Sequence, residues 1–416
     1  MARRRAQGSG SVFERDITRS GKVYHYWAAE ISAGVDMAGN QIQKQQKLFK
    51  TQKEAVAWLN QTQTEIQNGE YLKESSMTLA QWLDTYMNVH TPNLKYLTRK
   101  SYVAQIENHI KPALGKKRLD KLTATDIQHF VNQLGIDGQE RKRNIDGNIV
   151  IERIPLSAKS IKNAFEILNV ALEKAVDLDL IKRNPCGKAT LPKIQKPEIK
   201  PLNEEQISAF LSEITDDAYG DALRFILFSG CRESECLGLR WCDINFRKGT
   251  ASINGQLVKH RVEDGGYQHE STKNGKSRTL TLAPSVLAIL KSRQQKQLSE
   301  KKKAAEIWTG WQTLEEYKTA YCFTDELGKF LTPKSLYKRC KKICEKIGCP
   351  EMTVHGLRHS YATIALQGGD SLKTVSENLG HSTIAITADI YASVSDTMKR
   401  DSANRMEAFI KSVAVS

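Results

Sequence analysis

The sequence predicts a multidomain protein in three parts: a small N-terminal α+β module of three strands and a helix, a central all-α bundle, and a mainly α C-terminal domain with a small antiparallel β-sheet. Three observations carry this. Residues 12–49 hold short runs rich in β-branched and aromatic residues, followed directly by a capping-box spacing. From Thr78 to Val176 apolar residues recur at helical spacing in one stretch after another. From Thr250 to Leu282, strand-like runs separated by Gly-Gly and Asn-Gly interrupt a third helical region.

In the first module (residues 1–70) a basic arm, Arg3-Arg4-Arg5, precedes candidate strands at Val12-Phe13, Val23 to Ile31 and Gln41 to Phe49, with a turn at Asp36 to Asn40. Thr51 and Glu54 have the capping-box spacing, and Ala55, Trp58, Leu59 and Ile66 fall on or near one face of the helix that follows. Such a unit is either a packing domain or a sheet laid in a DNA groove, with Gln41, Gln43 and Gln45 alternating outward; the basic arm favours the groove.

The second module (75–185) places Leu79, Trp82, Leu83, Tyr86 and Met87 on one helical stripe, and further helices are expected at Leu97 to Ile110, Thr125 to Leu134 and from Ser157 onward. Between Gly135 and Ile154 the periodicity fails over a polar run, which reads as a hairpin or loop inserted in the bundle. Lys95, Arg99, Lys100, Lys116, Lys117 and Arg118 are each ordinary surface charges, but together they suit a duplex backbone. Residues 186–201, with their prolines and lysines, read as an extended basic linker.

In the third module (202–416), Thr250 to Val262 and Tyr267 to Thr272 flank Gly265-Gly266, and Asn274-Gly275 is expected to return the chain as a hairpin through Ser277 to Leu282, with Lys273 at its lip. Trp308, Trp311 and Tyr317 are expected to pack an insertion, and Ser395 to Val413 forms an amphipathic helix with Met398, Met406, Phe409, Ile410 and Val413 on its apolar side.

Composition sets the partner. The 416 residues contain 62 Lys and Arg against 47 Asp and Glu, a formal charge of +15 that is not confined to one tail. A polyanion, nucleic acid, is the natural partner. No run of 18 apolar residues suits a membrane span, and the start lacks the apolar stretch of a secretory signal, so a cytoplasmic location is expected. The eight cysteines, from Cys186 to Cys349, include no C-x-x-C pair and read as reduced, mostly buried thiols; the irregular triplet Cys340, Cys344 and Cys349 is not expected to bind metal.

The chemistry lies between His355 and Tyr391: H-G-L-R-H at 355–359, L-G-H at 379–381, and a tyrosine ten residues later. These residue types suit a phosphate better than a carbonyl. Charge that builds on phosphate oxygens needs donors already in place, and arginine supplies a planar fork that stays protonated. Arg232, after a Gly-Cys turn, and Arg358, three residues after His355, stand in suitable contexts, although either has a structural alternative in buttressing Glu235 or Asp243. A tyrosine nucleophile needs activation and the leaving oxygen needs a proton, roles open to histidine and lysine.

Arg232 in G-C-R-E-S-E, Lys273 in T-K-N-G-K-S-R, His355 and Arg358 in H-G-L-R-H-S-Y-A-T, His381 in L-G-H-S, and Tyr391 together resemble the tyrosine recombinases, the phage-integrase family. The resemblance implies the DNA breaking-rejoining fold for 202–416, a core-binding helical domain at 75–185 and an arm-type DNA-binding domain at 1–70. It implies that Tyr391 attacks the scissile phosphate to form a 3′-phosphotyrosyl link, with Arg232, Arg358 and His381 holding the phosphate oxygens. Lys273 would protonate the leaving 5′ oxygen and His355 would accept a proton or orient the group. The family position after the first histidine is often acidic and is Gly356 here. His359 is expected to be a buried structural residue. No cofactor or metal is implied. Implied partners are double-stranded DNA at core and arm attachment sites and three further copies of the chain in a tetramer; an accessory excision factor or host DNA-bending protein is compatible with this.

Other chemistries fit these residues less well. His355 and His359 share the spacing of a zinc helix, but Gly356 stands where that chemistry needs glutamate. A DNA-binding regulator that kept the fold would be expected to lose one of the six residues, and a type IB topoisomerase would need no arm module. A chromosome or plasmid dimer resolvase shares the chemistry and usually lacks that module. The C-terminal helix either packs on its own domain or docks on a neighbouring protomer.

Overall fold

The computed structural model describes residues 10–31, 45–67, 76–145, 148–195, 201–263, 266–272, 275–392 and 395–414. The chain divides into two compact units, Met1–Gln195 and Lys196–Ser416.

In the first unit, β1 (Ser11–Arg19), β2 (Lys22–Ile31) and β3 (Gln45–Phe49) form an antiparallel sheet in sequence order. Ser20 and Gly21, both at positive φ (50° and 77°), close the two-residue turn between the paired Arg19 and Lys22. Ala28, Ala29 and Ile31 are buried, as are Ala55 and Leu59 of α1 (Gln52–Gln67), which packs on the sheet. Thr51 accepts from the Glu54 amide at 3.4 Å, the first half of the expected capping box. The basic arm, the Asp36–Asn40 turn, Gln41 and Gln43 lie outside the described residues, as does the Gln45 side chain.

The helical part runs through α2 (Leu79–Thr85), α3 (Tyr96–Gln105), α4 (Lys111–Leu114), α5 (Ala124–Asp137) and α6 (Ala158–Asp177). Thr78 with Gln81 and Thr123 with Asp126 form reciprocal capping boxes at two of these starts, so each sequence-local signal marks a true helix end. Wider π-type turns, Tyr86–His90 and Ile106–Ile110, extend α2 and α3. Leu79, Trp82, Leu83, Ile127, Phe130, Ile161, Leu168 and Leu172 share one core, and the Trp82 indole N–H donates to the Ala171 carbonyl at 2.8 Å. Trp82→Ala should therefore destabilise this unit by about 3–5 kcal/mol, read as a lower denaturant midpoint.

The polar run after α5 is a hairpin, β4 (Gln139–Ile145) and β5 (Asn148–Ile154), and it starts later than expected because α5 continues through Gly135. Not every lysine and arginine proposed to line a duplex is uncommitted. Arg99 donates to the Met87 carbonyl at 2.6 Å, while Lys117 and Arg118 pair with Asp126 and Asp120. The expected linker is not extended throughout: it opens in a 3-10 turn, Pro185–Lys188, and then Ala189 and Leu191 pack on the helical core while Thr190 exchanges backbone bonds with the Gln128 side chain.

The second unit begins with α7 (Glu204–Glu213), α8 (Ala218–Ser229) and α9 (Glu233–Leu237). Five strands follow: β6 (Ile244–Asn245), β7 (Thr250–Ile253), β8 (Gly255–Lys259), β9 (Tyr267–Ser271) and β10 (Arg278–Thr281). The expected hairpin across Asn274-Gly275 does not form, since β9 pairs with β8 and β10 pairs with β7. The long Thr250–Val262 run breaks at Asn254, whose amide donates to Asp243 at 2.9 Å. At Gly255 a Cβ would lie 2.1 Å from the His269 ring, so β8 approaches β9 closely while β7 keeps β10 and β6. Gly275, at φ 65°, still makes a tight turn, but it joins two sheets; Lys273 and Asn274 lie outside the described residues.

The remaining helices are α10 (Pro284–Ala304), α11 (Leu314–Thr319), α12 (Pro333–Lys346), α13 (Val354–Gln367), α14 (Leu372–Leu379), α15 (Ile384–Ala392) and α16 (Ser395–Ala414). Phe210, Phe225, Ile226, Leu237, Phe323, Leu336 and Leu357 centre the core. Trp311 stacks edge-on against Tyr317 at 4.7 Å and carries the Lys301 ammonium over its ring at 3.8 Å, in line with the expected aromatic packing. Along α16, Met406, Phe409, Ile410 and Val413 are all more than half exposed, so this unit does not cover these four; the Met398 side chain lies outside the described residues. Seven cysteines are buried and Cys242 is exposed, none in a disulfide. Among the described residues no helix is long and apolar enough to cross a membrane, and no cluster of three or more His, Cys, Asp or Glu fits a metal ion.

Candidate active site

Two left-handed glycines shape the site. At the end of α8, Gly230 (φ 65°) closes the helix by donating to the Ile226 carbonyl at 2.9 Å. A Cβ there would lie 2.3 Å from the Tyr361 ring, so only glycine fits. The turn sets Arg232 at the cap of α9, where its backbone N–H and its Nη1 both donate to Glu235, at 2.9 and 2.7 Å. Gly380 (φ 64°) ends α14, with its own N–H on Glu377 and that of His381 on Ser376.

A helix C-terminus leaves carbonyls without partners and carries partial negative charge. Here three arginines answer three consecutive carbonyls. Arg278 Nε donates to Asn378 (2.7 Å), Arg358 Nη2 to Leu379 (2.7 Å) and Arg232 Nη2 to Gly380 (3.0 Å). Arg358 also donates from Nη1 to the Gly230 carbonyl at 2.8 Å, tying α13 to the α8 turn. Arg278 completes the network by donating to both oxygens of Glu235, at 3.1 and 2.7 Å.

Thr353 caps α13, accepting from the Gly356 amide at 3.1 Å, which fixes His355 in the first turn, with Arg358 and His359 one turn further on. A Cβ at Gly356 would stand 2.3 Å from the Met352 sulfur, so the acidic residue common in the family would displace Met352 here. His355 is exposed and meets the half-buried His359 edge-on, with centroids 4.7 Å apart. The His381 ring binds the Thr387 hydroxyl through Nδ1 at 2.8 Å.

Electrostatically the site awaits an anion, with three guanidinium groups facing one carboxylate. Burial raises the Glu235 pKa, but hydrogen bonds and charge from Arg278, then Arg232, outweigh this and hold it near 2. Burial, then the charge of Arg232, lowers Arg358 to about 10, which leaves it protonated at neutral pH. Burial lowers His381 to about 4, with Arg358 and Arg232 adding to the shift; burial, His355 and Arg358 lower His359 to about 4. His355 is lowered by the protein packed around it and then by Arg358 and Arg232. Neutral histidines are therefore present at pH 7.

These shifts set an acid limit on stability. His359 and His381 have folded pKa values below the ordinary 6.5, so the unfolded chain binds protons first; stability is complete above pH 6.5 and falls as pH drops towards about 4. Glu235, depressed from 4.5 to about 2, adds a further loss below pH 4.5. Chemical denaturation at a series of pH values should show the midpoint declining through both windows, with His359→Gln flattening the upper one.

Of the six residues expected from the sequence, Arg232, His355, Arg358 and His381 come together. Lys273 lies outside the described residues; Tyr391 is placed on α15, while its side chain lies outside them. The contacts of Arg232 and Arg358 are structural as well, so the two readings of each arginine are compatible. Arg278, the third arginine on the α14 carbonyls, and Thr387 were not foreseen. Arg278 stands in the same T-K-N-G-K-S-R run as Lys273, a signal that could have been used; Thr387 offers only its spacing, one helical turn before Tyr391.

Comparison with known proteins places this geometry. Residues 196–398 match the Phage integrase family, 78–135 the Phage integrase N-terminal SAM-like domain, and 13–66 the Arm DNA-binding domain. Residues 196–398 belong to the phage integrase family, the tyrosine recombinases. This recombinase is 29% identical over 395 residues to a "Tyrosine recombinase XerC-like" of Caldanaerobacter subterraneus, covering 91% of this chain and 94% of that one. It is 25% identical to an "Integrase" of Streptomyces ambofaciens, with 94% of each chain covered. Its fold resembles the Tn1549 transposon integrase solved with a circular intermediate DNA, with TM-score 0.62, 21% identity, and 79% of this chain and 100% of the other covered. As a tyrosine recombinase it cuts and rejoins DNA strands.

Proposed function

We propose that this recombinase is the integrase of a mobile element, inserting or excising it at specific attachment sites, with Tyr391 as nucleophile. In this reading Arg232, Arg358 and His381 bind the scissile phosphate and stabilise its developing charge, and Lys273 protonates the leaving 5′ oxygen. His355, neutral at pH 7, is suited to accept the phenolic proton. Attack forms a bond from the Tyr391 oxygen to phosphorus and breaks the bond to the 5′ oxygen. The 3′-phosphotyrosyl link keeps the phosphodiester energy, so rejoining to another 5′ hydroxyl needs neither ATP nor a metal ion.

The observation that carries the reading is the arginine pair fixed on the α14 carbonyls, directly before His381 and the helix of Tyr391. The arm module at residues 13–66 supports an element integrase over a dimer resolvase, through two classes of DNA site, arm and core. A tetramer on DNA, acting in the host cytoplasm, follows from the same reading, and the exposed apolar side of α16 favours docking on a neighbouring protomer.

The test is a nicked suicide substrate of candidate attachment DNA, incubated with the chain in EDTA without ATP. A covalent protein–DNA adduct with a free 5′ hydroxyl is expected. Binding without any adduct would favour a regulator that kept the fold, and relaxation of plasmids lacking an attachment site would favour a topoisomerase.

A further inference from the structure

We propose that Thr387 is a positioning residue that makes the orientation of His381 depend on the seating of the helix that carries Tyr391. The proposal rests on the roles of Tyr391 and His381 given above. Gly380 fixes where the backbone leaves α14, but a histidine ring still has to be aimed. Its aim is set from another element: Nδ1 of His381 is 2.8 Å from Oγ1 of Thr387, on α15. With Nδ1 engaged by a hydroxyl, Nε2 is the nitrogen left to meet a phosphate oxygen.

The position of Thr387 gives this bond its significance. The residue is fully buried, while Ile384, Ala385, Ile386 and Ala388 around it on α15 are exposed, so the threonine is on the inward side of the helix. Ile390 packs beside it on the small cluster of Ala362, Leu366, Val375 and Leu379 from α13 and α14. Tyr391 follows Thr387 by four residues and shares its helical face. A displacement of α15 that withdraws the nucleophile therefore also removes the partner of the His381 ring. A subunit in that state lacks both its nucleophile and an aimed phosphate ligand, and so does not hold a half-built site open to stray attack by water.

The test measures the single-turnover rate of adduct formation on the suicide substrate for the native chain, Thr387→Val, Thr387→Ser, His381→Ala and the Thr387→Val/His381→Ala double variant. Valine keeps the shape and removes the hydroxyl, and a rate roughly tenfold lower is expected, the effect of about 1.4 kcal/mol from one lost buried hydrogen bond. Serine, which restores the hydroxyl, should recover most of that loss. In the His381→Ala background the valine should cost nothing further, because its effect passes through the ring. Equal slowing by valine with and without His381, or valine at the native rate, overturns the proposal. Should the native chain itself form no adduct, the functional reading fails instead, which is a separate result.

Discussion

Tyr391→Phe is expected to abolish the covalent adduct completely while leaving affinity for attachment DNA unchanged. Phenylalanine keeps the ring and removes only the oxygen that attacks, so the seat of α15 should be preserved. Affinity resides in lysine and arginine contacts to phosphates, which the substitution does not touch; the slope of affinity against salt should match that of the native chain. Denaturing gels read the adduct and fluorescence anisotropy reads the binding. Another tyrosine nearby is a poor substitute. Tyr361 lies half-buried against Gly230, its hydroxyl accepts from the Asn378 amide at 3.3 Å, and burial raises its pKa. An adduct formed by Tyr391→Phe would disprove the assignment of the nucleophile.

Arg358→Lys is expected to have the next largest effect, although it keeps the charge. Arg358 is 2% exposed and its guanidinium spans two elements at once, donating to Gly230 of the α8 turn and Leu379 of α14. A lysine ammonium is a single point and cannot bridge both carbonyls in the same plane. Loss of one aligned donor to a developing oxyanion costs about a hundred- to a thousandfold in rate. The orphaned carbonyl adds about 1–3 kcal/mol of lost stability. Single-turnover cleavage and denaturant melts on one preparation separate the two losses, and a lysine variant with native cleavage would remove Arg358 from the phosphate site.

What the sequence revealed about this chain follows the range of the forces involved. Caps act within one helical turn, so the Thr51–Glu54 spacing was visible side by side and the bond forms, while the boxes at Thr78 and Thr123 were equally local but were not read, and the second helix starts at Ala124 instead of Thr125. The apolar stripe from Leu79 to Met87 is local too and was readable. Strand pairing is set by distant groups, and the Asn274-Gly275 turn looked like a hairpin because its local chemistry is that of one. The Asn254 bond to Asp243 and the close approach at Gly255 decided the pairing otherwise. The site shows the same divide. Motifs pointed to Arg232, His355, Arg358 and His381 because each sits in a recognisable run. Arg278 and Thr387 act through partners 43 residues and six residues away in the chain, respectively; the run that holds Lys273 marks Arg278 but not its partner, and the Thr387 bond leaves no local pattern.

The clasp of three arginines on the end of α14 has a kinetic meaning. Its three bonds link residues 148, 100 and 21 positions apart and are formed within the folded chain, so in the proposed mechanism the entropy of assembling the phosphate receptor is spent when the chain folds and not at each encounter with DNA. With Tyr391 as the proposed nucleophile, the short helix that carries it is among the parts still to be arranged on the DNA. In that mechanism, control over when a strand is cut acts through that helix. The receptor can stay rigid through every round of cleavage and rejoining, and the forward and reverse reactions meet the same geometry.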